Sequence, residues 1–93
     1  MFKITLACKG LSEAAATEAA PEIALEFHEH RTWYAAVQCL WRDGRVLLIA
    51  ESDVDSDGVA LSDEFSDCIF AYVSDWEDFK IEIVEVVKLP TAA

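Results

Sequence analysis

The chain has 93 residues, 54% of them hydrophobic, and sets 18 Asp and Glu against 7 Lys and Arg, a formal net charge of -11. That length builds one domain over residues 1–93 with no room for a second core, and the apolar content excludes global disorder. The acidity makes nucleic acid a poor partner, because phosphates would be repelled, and directs attention to hard cations and basic proteins.

Phe2, Ile4, Leu6 and Cys8 alternate with Lys3, Thr5, Ala7 and Lys9, the period of a strand with one buried face. Gly10 ends it. Ser12 is placed to cap a helix, with Glu13 near the positive end of its dipole. Ala14, Ala15, Ala16, Ala19 and Ala20 favour that helix, and Ala15, Ala19, Ile23 and Phe27 form one apolar stripe. Pro21 predicts a kink or a fresh helical start. The helix is expected to end near His28 to His30.

Trp33 to Trp41 reads as a second strand, with Trp33, Ala35, Val37, Cys39 and Trp41 on one face. Asp43-Gly44 is a hairpin signal, since glycine accepts positive φ, and Arg45 to Ala50 is the returning strand. A helix is expected from Ser62 or Asp63, with Leu61, Phe65, Cys68, Ile69, Tyr72 and Val73 at helical spacing. Ser74 to Asp78 is a polar connection carrying Trp76. That residue is either an interface anchor or a seal on the helix end. Lys80 to Leu89 is the last strand, and a tail from Pro90 should fray.

The order is β-α-β-β-α-β. Two interleaved right-handed crossovers give an α+β, ferredoxin-like domain: a four-stranded antiparallel sheet with two helices on one face and the last strand beside the first. The opposite face is expected to carry Leu40, Leu47, Ile49, Val84 and Val86. So much branched apolar surface predicts a homodimer through that face, unless the alternation is misassigned.

Cys8, Cys39 and Cys68 are widely spaced among apolar neighbours, so they read as reduced core cysteines of a cytoplasmic protein. The strand-like opening Met1-Phe2-Lys3-Ile4 is unlike a secretory leader, and no apolar run reaches the roughly 20 residues that cross a bilayer. His28-Glu29-His30 reads as a solvated helix end.

Between Arg45 and Lys80 there is no Lys or Arg, but ten carboxylates, Glu51 through Asp78. Within that stretch Asp53, Asp55, Asp57 and Glu64 fall at positions one, three, five and twelve of a loop whose sixth residue is Gly58. A hard cation wants six to eight oxygens, and carboxylates at this spacing can supply them. Residues 53–64 and the following helix resemble the EF-hand family. The resemblance implies Ca2+ held by Asp53, Asp55, Asp57, the carbonyl of Val59, and both oxygens of Glu64 in the first turn of that helix. A strand precedes the loop here, Ala60 and Leu61 replace the family's usual residues, and no second loop exists, so an isolated strand-loop-helix site is implied. The same residues also suit a metal-free acidic turn, because acids stabilise a helix N-terminus by themselves.

Together these readings point to a small acidic binding or interaction protein and away from an enzyme, with Ca2+ as its candidate ligand. Two readings stand beside it. One is an acidic decoy or inhibitor of a basic, partly apolar protein partner. The other is a dimeric small-molecule binder or enzyme with its pocket between sheet and helices.

Overall fold

Alternation along β1 (Phe2–Lys9) sends Ile4, Leu6 and Cys8 to one side, where all three are fully buried. The structure is a computed structural model that describes residues 1–73 and 78–90. Ser12 then caps α1 (Glu13–His30), its hydroxyl accepting from the Ala15 amide at 3.2 Å. The helix runs through Pro21 without restarting. The proline lies on the exposed side of the helix. Ala16, Ala19, Ile23 and Phe27 form the buried stripe.

β2 (Ala35–Arg42) and β3 (Arg45–Ser52) form the expected hairpin, with Asp43 at φ 53° and Gly44 at φ 79° in a two-residue turn. α2 (Val59–Tyr72) buries Leu61, Phe65, Cys68 and Ile69, and β4 (Lys80–Lys88) closes the order β-α-β-β-α-β. The sheet order is β2-β3-β1-β4 and every neighbouring pair is antiparallel, a ferredoxin-like arrangement. Register places Leu6 opposite Leu48 and Ile4 opposite Ala50. These residues join the buried sides of both helices in one core, so both helices cover the same face.

Several boundaries differ from the sequence expectation. Trp33 lies outside the second strand and is 59% exposed, instead of sharing the inner face of Val37. The strand is irregular between Ala35 and Gln38, where Ala36 takes φ 50°, and this breaks the alternation that Trp33 was expected to follow. β3 reaches Ser52, and α2 starts at Val59, not Ser62 or Asp63.

The open face carries Leu40, Leu47 and Ile49 as expected, each half-buried. Val86 does not join them. A register shift between Thr5 and Leu6 leaves Val84 in a bulge and pairs Val86 with Ile4, on the helix side. The expectations for Trp76 and for the tail after Pro90 fall outside the described residues.

Candidate functional site

The acidic stretch links β3 to α2, and its shape follows from where its carboxylates find donors. Ser52 is buried, and its hydroxyl accepts from the Val54 amide at 3.2 Å and the Asp55 amide at 3.1 Å. This turn carries Asp55 inward to 6% exposure. Asp55 Oδ1 accepts from the Gly58 amide at 3.0 Å, and Oδ2 accepts from the Leu61 amide at 2.9 Å. Asp55 therefore caps α2 from three residues before its N-cap, Gly58, which itself has no capping side chain. Asp57 Oδ1 accepts from the Val59 amide at 3.1 Å. Gly58 sits at φ +82°, and a Cβ there would lie 3.2 Å from Ile4 Cγ2, so both conformation and space call for glycine.

These contacts divide the sequence-expected ligand set. Asp53 is exposed, Asp55 is buried with both oxygens on backbone amides, and Asp57 is exposed. Val59 is the first residue of α2, so its carbonyl faces the helical ladder instead of the loop interior. The early start moves Glu64 from the first helical turn to the second. There it turns to α1, with Oε1 3.4 Å from Arg31 Nε. Among the described residues no three His, Cys, Asp or Glu side chains come together in a way that could hold a metal ion.

The same loop walls a cavity of about 690 Å³, lined by Trp33, Tyr34, Val54, Asp57, Asp63 and Glu64 among others. Tyr34 is fixed by burial, its ring meeting Phe27 edge-on at 5.5 Å. Burial, then the charge of Glu64, pushes the Tyr34 phenol far above its ordinary value, so it stays a neutral hydroxyl. Trp33 leans over Tyr34 at 6.2 Å between ring centroids and leaves its indole open to solvent.

A polar network supports this corner. Tyr72 Oη donates to Glu26 Oε2 at 2.8 Å, Arg31 Nη1 donates to Glu26 Oε1, and the Arg31 guanidinium stands 5.6 Å above the Phe27 ring. Two buried atoms of this corner, Arg31 Nε and Glu64 Oε2, make no well-formed hydrogen bond, and the Tyr34 hydroxyl interacts with the same Glu64 carboxylate. The cavity thus combines two aromatic rings with carboxylates that outnumber the nearby guanidinium. That chemistry suits a cation on an apolar stem.

Trp33 was legible as an aromatic, but its place in a strand alternation pointed it inward. Arg31, Glu26 and Tyr72 carried no signal, because they meet only when α1 packs on α2. The three thiols are free, and burial raises Cys8 and Cys68 to about 11 and Cys39 to about 12, which keeps them protonated and poor nucleophiles at neutral pH. His30 Nε2 stands 3.7 Å from Glu29 at the exposed end of α1. None of the described helices is long and apolar enough to cross a membrane. Comparison with protein-family models, curated proteins and solved structures finds no match to this chain.

Proposed function

We propose that this protein binds a basic segment of a protein partner, with a Lys or Arg side chain entering the cavity between Trp33 and Glu64. The observation that carries this reading is a 59% exposed indole on the wall of a cavity that Asp57, Asp63 and Glu64 also line. An arriving ammonium or guanidinium meets these carboxylates, and its methylene stem covers the ring. Asp57 and Asp63 add attraction at the rim, and the net charge of -11 steers a basic partner from a distance. A cation over an aromatic ring contributes about 0.5–2 kcal/mol and an exposed ion pair about 0.2–1 kcal/mol, so one side chain binds weakly and neighbouring contacts must add to it.

Titration with pentaarginine, followed by backbone amide NMR, tests the reading, with pentaglycine as control. Shifts should centre on residues 33–34 and 52–64. Trp33→Ala and Asp63→Asn should each weaken binding by about threefold to tenfold. Absence of shifts overturns the proposal, as does a response spread evenly over the acids of α1.

A second reading, Ca2+ in the loop, draws on the acid spacing and on the positive φ of Gly58 at its sixth position. It requires Asp55 to exchange two amide hydrogen bonds for metal coordination. Amide shifts at Gly58 and Leu61 with calcium, absent with magnesium, are its signature.

A further inference from the structure

Sheet register sorts the scarce cations of this acidic chain onto one face. With Ile4, Leu6, Cys8, Val46 and Leu48 buried under the helices, the open face carries Lys3, Lys9, Arg42, Arg45 and Lys80, five of the chain's seven Lys and Arg. Among the described, strand-paired residues three acids share it, Glu51, Glu82 and Glu85. Four of the cations stand in one row. Arg42 pairs with Arg45 across the hairpin, the Cys8–Val46 pair places Lys9 abreast of Arg45, and Lys9 pairs with Lys80. The row crosses all four strands, roughly 14 Å at the usual strand spacing.

Like charges directly opposite each other destabilise a sheet. Lys9 offsets part of this through Glu82, at 3.4 Å. Arg42, Arg45 and Lys80 have no ion pair among the described residues; the nearest acid in sequence is Asp43 for the two arginines, and Asp78 and Glu82 for Lys80.

We propose that this row is a second docking surface, for an extended acidic segment of a protein. Charge complementarity selects an anion, and the width matches about four residues of extended chain. Arg42, Lys9 and Lys80 are exposed on a strand surface, which offers charge without enclosure and suits a chain more than a compact ion. Nucleic acid is disfavoured because no aromatic ring stands on this face among the described residues, and single strands need rings to stack on. The row lies at the first residue of β3 and the cavity at its last, roughly 23 Å apart, so the site is independent of the basic-partner reading.

Octaglutamate is the probe, added to the full chain at about 20 mM salt, where screening is weak. Amide shifts should map to Lys9, Arg42 to Arg45 and Lys80, with residues 52–64 silent. Affinity should fall about tenfold by roughly 200 mM salt. Arg42→Glu with Arg45→Glu should weaken binding at least about tenfold, and Lys80→Gln reports the loss from another strand should the hairpin variant not fold. Three outcomes overturn the proposal: no shifts with octaglutamate, equal shifts from inorganic phosphate at matched charge, or tighter binding of octathymidylate. Failure of pentaarginine at the cavity leaves this inference intact.

Discussion

Asp55 shows how much of one side chain's role is set by its neighbours. It shares spacing and chemistry with Asp53 and Asp57, yet it alone of the three is buried, because Ser52 turns the chain inward and α2 begins early enough to bring the Leu61 amide within reach. Asp55→Ala should therefore cost about 2–4 kcal/mol in urea unfolding, the range for losing a helix cap together with two hydrogen bonds to a buried charge. Asp53→Ala, at an exposed position, should cost less than about 0.5 kcal/mol. Equal effects would mean that the two acids act together, as metal ligands do. The spacing was legible in the sequence, but the burial was not, since it depends on a helix start three residues before the first strong helical signal. Glu26 is a second case. The hydrogen bond from Tyr72, aided by Arg31, holds its carboxyl below the ordinary value. A lowered value in the folded state means stability present above the unfolded carboxylate range and lost as pH falls through the folded value. Tyr72→Phe should lower the melting temperature at neutral pH and leave it nearly unchanged below the carboxylate range, flattening the acid limb, which a series of thermal melts from pH 7 downward will show.

Among the elements, type and order were legible because each runs long enough for its period to be counted. Alternation marked β1 and β3, and the alanine run marked α1. The ends were less legible, for separate physical reasons. Trp33 seemed to extend β2 because alternation assumes a straight strand, and the positive φ of Ala36 breaks that assumption. Val86 changed faces because one bulge reverses every side chain beyond it. Pro21 was expected to kink α1 or to begin a new helix; no new helix begins there, and packing of Ala19, Ala20 and Ile23 on either side of it carries α1 through that point. The remaining cost is local and can be recovered. A proline inside a helix is about 3 kcal/mol worse than alanine, while its stiffness in the unfolded chain returns up to about 1 kcal/mol. Pro21→Ala should therefore stabilise the fold by about 2 kcal/mol in urea denaturation. A loss of stability would show that the ring makes contacts that matter more than the missing amide.

For the whole molecule, a net charge of -11 is confined within a radius of gyration of 12.8 Å. The total was plain from composition, but its division between faces was not, because it depends on which residue opposes which across the sheet. The screening length falls from roughly 30 Å at 0.01 M salt to roughly 10 Å at 0.1 M, from beyond the size of this molecule to within it. The unfolding temperature should accordingly rise by several degrees over that interval, on the order expected for about 1 kcal/mol in a small domain. Arg45→Gln separates the two contributions. It removes a short-range repulsion from Arg42 and Lys9, worth about 0.5 kcal/mol across a strand pair, which survives salt because the charges are adjacent. It also removes a long-range attraction to the acids beyond the sheet, which salt suppresses. The substitution should be neutral or destabilising at 0.01 M and stabilising above about 0.1 M. A change of sign with salt is the mark of cations gathered on one face, because cations scattered evenly among the acids would make their loss unfavourable at every ionic strength.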